Sequence, residues 1–381
     1  MHPMTNAEQH NTAELKRMNL INVYNCLYQA GEVSRLEISA RTGLSLPTVA
    51  SNITELEEKG LVLDVGEQKS TGGRRARAFR CQNMARIAIG AEILKHSVRI
   101  AAIDLYGNII KEEESDAAFS NSDQYYSFFG SFVNAFVDGL EVPLDRILGV
   151  GIALQGLVSA DGETVVYSPI LKCTGTGRER FQRELKLPCI ILHDTESSAL
   201  AEIWHDKSID NIVYFALNRN FGGTLILNGR IHNSMNLSSS VIEHMCLDPN
   251  GPICYCGKHG CVESFCSVNH LLDVAGMDIG QFFEAVRNGE HREKRIWKEY
   301  LKYLAMAIEN VRMVANCDFI LGGYLVQFMT DKDYEDLSGY VSEQSFLNDT
   351  GFVLRRSRYG DKAPTLGAAM HYVDRFLAEL R

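Results

Sequence analysis

The first pattern along the chain is a set of apolar residues at helical spacing. Its members are Leu20, Val23, Tyr24, Leu27 and Tyr28. The spacing predicts an amphipathic helix that ends near Gly31. Ser34 and Glu37 then have the spacing of a capping box, which predicts a short second helix that ends at Gly43.

A third helix is predicted to begin after Ser45, whose hydroxyl can cap it. Val49, Ile53 and Leu56 form its buried stripe, at positions i, i+4 and i+7. Uncharged residues are expected to face away from that stripe, and acidic residues come only towards the far end of the helix. The uncharged residues are Pro47, Thr48, Ser51 and Asn52.

Three helices in this order are typical of a helix-turn-helix unit, whose last helix enters the major groove by its N-terminal end. Strand patterns at 61–63 and 78–79 predict a wing, and the basic segment 70–77 between them suits phosphate or minor-groove contact. The alternative is a helical dimerisation module with a basic linker. The residues predicted to contact DNA are Ser45, Pro47, Thr48, Ser51, Asn52, Arg74, Arg75 and Arg77.

From residue 87 onwards the pattern changes to apolar strands separated by turns and helices, which predicts an α/β body. The predicted strands include 87–90, 98–104, 147–154, 190–192, 212–217 and 224–227. His193 and Asp194 follow one of them directly, and ligands of α/β sheets usually bind just beyond strand ends. A later helix, 297–314, has an apolar stripe that suits either the core or a dimer interface.

The charge of the chain is uneven. Its 381 residues carry a net charge of −10, yet residues 1–82 hold 10 Lys or Arg against 9 Asp or Glu. An acidic body avoids nucleic acid, so any DNA contact belongs to the N-terminal segment. We find neither an apolar stretch long enough for a membrane span nor the apolar core of a signal peptide, and we expect a cytoplasmic protein without a membrane partner.

Three thiols, Cys254, Cys256 and Cys261, lie within eight residues, and His244 precedes them by ten. Thiolate and imidazole ligands suit tetrahedral Zn²⁺, and cysteines of a reducing compartment are more often metal ligands or free thiols than disulfides. The run therefore predicts a compact zinc knuckle. The alternative is a set of partly buried free thiols.

Several segments together resemble the ROK family of repressors and sugar kinases. They are the N-terminal module, TGGRRARAF, GIALQGLV, HDTESSALAE, GGTLILNGR and EHMCLDPNGPICYCGKHGCVES. The resemblance implies a winged helix-turn-helix followed by a two-lobed actin-like ATPase fold, with a sugar-type ligand in the cleft. It places structural zinc on His244, Cys254, Cys256 and Cys261, with Cys246 and Cys266 as candidate substitutes.

The resemblance also predicts three domains. Residues 1–82 form the winged DNA-binding domain, and residues 83–205 form the first α/β lobe, completed by a C-terminal helix at 364–381. Residues 206–363 form the second lobe, which carries the knuckle and the helices expected to join an oligomer.

Two loops depart from the kinase pattern of the family. Kinase members carry an Asp-x-Gly-Gly-Thr-type loop after the first strand, where this chain has the stretch 90–95, GAEILK. The second phosphate loop, usually Gly-Thr-Gly-x-Gly, is NRNFG at 218–222. Bulky side chains in place of glycines hinder the close backbone approach that holds ATP phosphates. We therefore predict a regulator rather than an enzyme.

The sugar side of the family pattern is partly kept. Asp194 matches the family's catalytic base, Glu263 matches a sugar-contacting Glu, and His244 lies near the ligand as well as binding zinc. His193 replaces the usual Asn, and Val241 replaces a sugar-binding Glu. The predicted effector-binding residues are His193, Asp194, His244 and Glu263. Asp194 could instead cap a helix, and Glu263 could be a solvated or knuckle-supporting carboxylate.

These observations predict a transcriptional regulator, most simply a repressor of carbohydrate-utilisation genes. Its partners would be a double-stranded DNA operator, a small carbohydrate effector and further copies of itself, as a dimer or tetramer. One alternative is an active kinase that phosphorylates a hexose with ATP. Another is a regulator that binds no sugar and responds to a protein partner.

Overall fold

The structure is a computed structural model, and it describes residues 6–67, 77–206, 208–232, 241–315, 317–346 and 351–380, with the backbone alone for 6–13. Arg74 and Arg75, two of the predicted DNA contacts, lie outside these residues. Three parts follow one another along the chain: an N-terminal head and two α/β lobes.

The head contains three helices and a three-stranded antiparallel sheet in the order β1-β3-β2. Its elements are α1 (Asn6–Ala30), β1 (Val33–Ser34), α2 (Arg35–Thr42), α3 (Leu46–Glu58), β2 (Val62–Glu67) and β3 (Arg77–Cys81). The predicted capping box is present, because the Ser34 amide donates to Glu37 Oε2 at 2.7 Å and the Glu37 amide donates to Ser34 Oγ at 3.3 Å. Gly43 ends α2 in the left-handed region, with φ 72°. The helices and strands of the head occur in the predicted order.

The first lobe contains a five-stranded sheet in the order β10-β7-β4-β5-β6. Its elements are β4 (Ile87–Ile93), β5 (Ser97–Asp104), β6 (Ile109–Asp116), α4 (Asp123–Asp138), β7 (Ile147–Leu154), β8 (Leu157–Val158), β9 (Val165–Tyr167), α5 (Glu179–Gln182), β10 (Cys189–His193) and α6 (Asp194–His205). The three strands β10, β7 and β4 run parallel, and β4 is buried over its whole length. Apolar runs of this kind are expected where both faces of a sheet are covered.

The second lobe repeats the plan with a five-stranded sheet in the order β13-β12-β11-β14-β15. Its elements are β11 (Ile212–Leu217), β12 (Phe221–Leu227), β13 (Arg230–Ile231), α7 (Glu263–Cys266), α8 (Val268–Ala275), α9 (Ile279–Asn288), α10 (His291–Arg312), β14 (Asp318–Gly322), α11 (Asp331–Gln344) and β15 (Leu354–Arg356). The hairpin predicted from residues 212–227 is β11 paired with β12.

The last helix, α12 (Ala363–Glu379), returns to the first lobe and packs against β4, β7 and α6. The approach is so close that a Cβ added at Gly367 would collide with the carbonyl oxygen of Ser197 in α6. Gly90 of β4 and Gly151 of β7 allow the same approach from the sheet, towards the backbone carbonyls of α12. Since α6 also packs on the sheet of the second lobe through Ala199 and Ile203, this helix joins the two lobes.

The head shares one apolar core with the first lobe. Val23 and Leu27 of α1 belong to the same buried cluster as Ile103 of β5 and Met370 of α12. Tyr28 stacks on Tyr106 with ring centroids 4.5 Å apart, and its hydroxyl donates to the Leu105 carbonyl oxygen at 2.6 Å. Arg17 donates to the Glu379 carbonyl oxygen at 2.7 Å, which ties α1 to the end of α12.

The apolar stripe on the helix predicted at 297–314 is part of α10. Tyr300, Leu304 and Ile308 are fully buried in the core of the second lobe. Of the two roles that the sequence left open, the structure assigns this stripe to the core, so these side chains are not available to a dimer interface. Among the described residues, none of the helices combines the length and apolarity that crossing a bilayer requires.

Candidate functional site

The N-terminal end of α3 is the exposed part of the helix-turn-helix unit. Ser45 caps the helix, because its Oγ accepts from the Thr48 amide at 3.3 Å, and the two hydroxyl oxygens lie 2.8 Å apart. Ser45, Pro47 and Ser51 are exposed and Thr48 is half-buried. Four of the residues predicted to contact DNA therefore share one accessible end of the helix.

Asn52 is placed differently from the prediction. It is buried, and its Nδ2 donates to the Thr48 carbonyl oxygen at 3.0 Å. The expectation that Asn52 faces away from the apolar stripe is wrong, because positions three after Val49 and four before Leu56 share the buried face of a helix. The buried side-chain amide thereby has a hydrogen-bond partner within the helix.

Arg77 begins β3 beside the wing. Its side chain is 70% exposed and forms an ion pair with Asp64 of β2 at 2.8 Å. An exposed pair of this kind contributes little to stability, so the guanidinium can exchange its partner at small cost. Arg77 thus lies where the sequence predicts a phosphate contact.

A cleft of about 650 Å³, including its open mouth, lies between the two lobes. The first lobe and the second lobe contribute nine lining residues each. The lining residues are Gln155, Gly156, Leu157, Tyr167, Pro169, Ile170, His193, Asp194, Thr195, Ala216, Asn218, Asn220, Phe221, Gly222, Val241, Glu243, His244 and Tyr255.

His193 and Asp194 lie at the junction of β10 and α6, as the strand pattern predicts. His193 Nε2 lies 3.3 Å from Asp194 Oδ1, which also accepts from the Thr195 amide at 2.8 Å. Burial raises the pKa of the Asp194 carboxyl, while His193 acts in the opposite direction. The carboxylate can accept hydrogen bonds from ligand hydroxyls through its second oxygen.

Three further side chains of the cleft were missed by sequence reasoning. Glu243 lines the cleft next to His244, and burial raises the pKa of its carboxyl to about 7. Tyr167 ends β9 on one lobe, and Tyr255 projects from the knuckle of the other, with its ring 5.1 Å from that of His244. The position of Tyr255 between two metal-ligand candidates was an available signal, whereas nothing in the local sequence marks Tyr167.

Glu263 does not line the cleft. It is buried behind it, where its two oxygens accept from the Phe221 amide at 2.6 Å and from Asn220 Nδ2 at 2.8 Å. The structure therefore corrects the expectation of a direct ligand contact. Glu263 supports the loop 218–222, so it is neither the solvated nor the knuckle-supporting carboxylate that the sequence left open as alternatives.

The contact between Glu263 and the Phe221 amide also occupies a donor of the second phosphate loop. The Phe221 amide, which stands where the family pattern would offer an amide to phosphate, donates to Glu263 instead. Asn218 uses its Oδ1 to accept from the Tyr324 amide at 2.7 Å. In the first loop β4 turns tightly into β5, with the Leu94 amide donating to the Ser97 carbonyl oxygen. The Phe221 and Leu94 amides are therefore both engaged within the protein.

His244, Cys254, Cys256 and Cys261 form one cluster, with their ligand atoms within 4.8 Å of one another. Cys254 Sγ lies 3.6 Å from His244 Nδ1, and Cys256 Sγ lies 3.7 Å from Cys261 Sγ. Tetrahedral bonds of about 2.3 Å to sulfur and about 2.0 Å to nitrogen give edges of about 3.5–3.8 Å. The four residues therefore fit a metal ion of this size, and Cys246 and Cys266 are not in the cluster.

A family model described as "ROK family" matches residues 88–374, which is most of the chain. This chain belongs to the ROK family. A second model, for a winged helix-turn-helix DNA-binding domain, matches residues 19–62. The ROK fold and the N-terminal module predicted from the sequence are both confirmed.

Among ROK relatives, NagC of Escherichia coli K12, a DNA-binding transcriptional dual regulator, is 29% identical over 267 residues. The match covers 69% of this chain, and the chain spans about two thirds of the length of NagC, 66%. The xylose repressor of Bacillus subtilis 168 is 22% identical over 372 residues, which cover 95% of this chain and 97% of the repressor.

Solved structures show the same fold. A ROK family transcriptional regulator described as a homolog of the E. coli MLC protein superposes with a TM-score of 0.78 at 22% identity, over 96% of this chain and 98% of that chain. A ROK glucokinase from Streptomyces griseus, in complex with glucose and AMPPNP, has a TM-score of 0.64 at 18% identity and covers 75% of this chain. Since this chain covers 98% of the glucokinase, the head is the part without a counterpart there.

Proposed function

We propose that this protein is a DNA-binding transcriptional regulator of carbohydrate-utilisation genes, acting as a repressor whose operator affinity changes when a sugar binds the cleft. The observation that carries the proposal is the combination of an exposed recognition helix with a ROK body whose Phe221 amide is already bound by Glu263. The names of two relatives, a DNA-binding transcriptional dual regulator and a xylose repressor, support it.

The DNA contacts that we propose are Ser45, Pro47, Thr48 and Ser51 in the major groove, and Arg74, Arg75 and Arg77 on the backbone or in the minor groove. Asn52 leaves this set because it is buried. A helix-turn-helix reads two half-sites through a symmetric pair of heads, so the active form would be a homodimer or a tetramer built from dimers.

Effector binding would use His193, Asp194, His244 and Glu243, with Glu263 acting indirectly through loop 218–222. The route from the cleft to the head is contiguous. Asp194 begins α6, α6 packs along α12, and α12 ends where Arg17 of α1 donates to Glu379. A sugar that brings the lobes together would bias α6 and α12 and, through them, the spacing of the two heads.

The metal in this proposal is Zn²⁺ held by His244, Cys254, Cys256 and Cys261. Three thiolates and one imidazole close a tetrahedral site, which leaves no position for water or substrate, so the ion would be structural. It would hold the segment that carries Glu243, His244 and Tyr255 against the cleft.

The kinase alternative is disfavoured because the Phe221 amide and the Asn220 side-chain amide of the second phosphate loop already donate to Glu263. Phosphoryl transfer depends almost wholly on positioning the phosphates and their metal. A coupled assay of ADP formation with a hexose panel should therefore give no turnover above background. Turnover that is lost in Asp194→Asn would overturn the proposal.

Operator selection from random duplex DNA with the purified full chain tests the proposal directly. We expect enrichment of a palindromic site with half-sites about one helical turn apart. Ser51→Ala should change the preferred sequence of that site, whereas Thr54→Ala, an exposed change further along the same helix, should not. Failure to enrich any site would contradict the DNA-binding function.

A further inference from the structure

The accessible side of α3 begins with three apolar residues. Leu46 is 47% exposed, Pro47 is exposed and Ala50 is half-buried. At 3.6 residues per turn these three positions lie within about 100° of arc, so they share one side of the helix, which we call the apolar face of α3. The buried stripe of the same helix points in another direction, towards the core of the head.

Leu46 has no part in that core. Leu44 and Val49 take the two positions of a hydrophobic staple at the start of α3, and both contact the apolar cluster of the head. Leu46 is neither a member of that cluster nor packed against it. Its exposed side chain therefore contributes little to folding, and a substitution there is not expected to unfold the head.

The polar groups of α3 give few means of reading a base. Arg and Lys recognise guanine, and Asn and Gln recognise adenine, through paired hydrogen bonds. None of the thirteen residues of α3 is Arg, Lys or Gln, and the amide of Asn52 is buried and donates to the Thr48 carbonyl oxygen. The hydroxyls of Ser45 and Thr48 bind each other in the cap, and that of Thr54 donates to the Ala50 carbonyl oxygen at 3.1 Å. The helix thus offers neither of the two paired contacts.

The charges of the head lie outside the apolar face. Glu55 is engaged by Lys59 at 2.8 Å and by Lys16 at 3.7 Å. The described cations of the head belong to other elements, where they suit phosphate contacts, which position a protein on DNA without specifying sequence. These cations are Lys16 and Arg17 of α1, Arg35 and Arg41 of α2, Lys59 after α3, and Arg77 and Arg80 of β3.

We propose that the apolar face of α3 reads thymine through its C5-methyl group, and that Leu46 is the residue that determines this preference. Among the four bases only thymine presents a methyl group in the major groove, and apolar side chains distinguish it there. The inference rests on the proposed major-groove contacts of α3 and names the base edge that they recognise. It adds Leu46 to the residues that the sequence pattern had indicated.

Replacement of single thymines by deoxyuridine tests the methyl contact. Deoxyuridine lacks only the C5-methyl group and keeps the base pair and its hydrogen-bonding edge. The probe is the operator selected with the full chain, and fluorescence anisotropy at one salt concentration measures its affinity. We expect one or two thymines in each half-site at which the replacement weakens binding about fourfold, which corresponds to one buried methyl group.

Leu46→Ala assigns the contact to its side chain. This variant should bind the unmodified operator about tenfold more weakly, and deoxyuridine at the sensitive positions should change its affinity less than twofold, because contacting groups are not additive. Uracil also changes the flexibility of DNA, but that effect is the same for every protein variant. Loss of the sensitivity in Leu46→Ala therefore reports the contact itself.

Two further variants separate the contact from other effects. Leu46→Met keeps an apolar side chain of similar size and should keep the sensitivity to deoxyuridine. Leu144→Ala is the matched control, since Leu144 is 46% exposed but belongs to the first lobe, and it should keep both the affinity and the sensitivity.

The outcomes distinguish this inference from the proposed function. Equal sensitivity to deoxyuridine in Leu46→Ala and wild type, or no sensitive thymine in either half-site, overturns the inference while operator binding by the full chain stands. A lower molar mass of Leu46→Ala in light scattering would place Leu46 at a contact between copies and would also overturn it. If the wild-type chain selects no operator at all, the proposed function itself fails.

Discussion

Glu92 is a buried carboxyl group whose surroundings raise its pKa. Glu92 of β4 stands in the stretch that replaces the first phosphate loop, where it is almost fully buried and lies 3.9 Å from Arg99 and 3.2 Å from Thr365 Oγ1. Burial raises the pKa of its carboxyl to about 8, Asp194 and Asp361 act in the same direction, and Arg99 opposes them. Near neutral pH this carboxyl therefore keeps its proton for much of the time.

Glu92 should make the protein less stable as the pH rises. In the unfolded chain a glutamate has a pKa of about 4.3, so between that pH and about 8 the unfolded state loses its proton first and is favoured. Glu92→Gln, which cannot ionise, should raise the melting temperature by about 2 °C or more at pH 8, and the gain should shrink towards pH 5.

Differential scanning calorimetry at several pH values measures this gain. Glu114→Gln removes an exposed carboxyl that pairs with the same Arg99 and serves as the control, with no pH-dependent gain expected. A melting temperature at pH 8 that is unchanged or lower in Glu92→Gln would contradict the assignment.

Among the elements, the pair α6 and α12 connects the two lobes, and its packing depends on glycine. Gly367 lies against the Ser197 carbonyl so closely that no side chain fits between the two helices. Overpacking at such a position costs about 1–3 kcal/mol because the backbone must shift. This destabilisation affects the packing of α12 against α6, the helix that begins at Asp194.

Gly367→Ala should lower the melting temperature by several degrees and weaken the response of operator binding to sugar. Gly339→Ala is the matched control, since Gly339 is a helical glycine of α11 with open space around its added Cβ. That control should be more stable than wild type, by about 0.5–1 kcal/mol, through reduced backbone entropy of the unfolded chain. Equal effects of the two changes would show that the helix contact is not tight.

Single cysteine substitutions can test the metal ligands of the knuckle. Cys261→Ser removes one of the four clustered ligands, so we expect metal content to fall from about one zinc per chain to well below half and the melting temperature to fall with it. Cys246→Ser removes an exposed thiol outside the cluster and should keep the metal. Elemental analysis of the purified variants distinguishes the two, and loss of zinc in Cys246→Ser would reassign the ligand set.

For the whole molecule, the main consequence of the fold is that the head is docked rather than tethered. The core that contains Val23 and Leu27 continues into β5 and α12, and Tyr28 adds a stacked ring and a hydrogen bond at the seam. A change in the angle between α6 and α12 therefore reaches the head through packed side chains. Contiguity of this kind is a route for coupling, and its energy has to be measured.

Tyr28→Ala should uncouple the head from the body. We expect operator affinity without sugar to stay within about threefold, and the sugar-induced change in that affinity to fall by at least fivefold, because typical coupling energies of about 1–3 kcal/mol depend on such contacts. Tyr28→Phe keeps the ring on Tyr106 and loses only the hydrogen bond, so it should lie between the two. Fluorescence anisotropy with the selected operator, with and without the bound sugar, measures the effect, and an unchanged sugar response in Tyr28→Ala would exclude this seam from the pathway.

The amino-acid sequence by itself determined the elements and their order. Caps such as Ser34 and Ser45, apolar periods such as 147–154 and the spacing of the knuckle are local, so their physical consequences can be worked out without knowing what packs against them. The winged head and the four-residue metal cluster follow from such signals, whereas the ROK fold was implied by the resemblance of several segments to that family. The exposed end of α3 was likewise predictable for Ser45 and Ser51.

Tertiary structure alone decided which side each remaining residue faces and what it contacts. Glu263 binds a backbone amide 42 residues earlier in the chain. Tyr167 and Tyr255 line the same cleft only because two lobes, far apart in sequence, face each other there. Burial and long-range contact depend on the packing of whole elements, so no local pattern of residue types could have specified them.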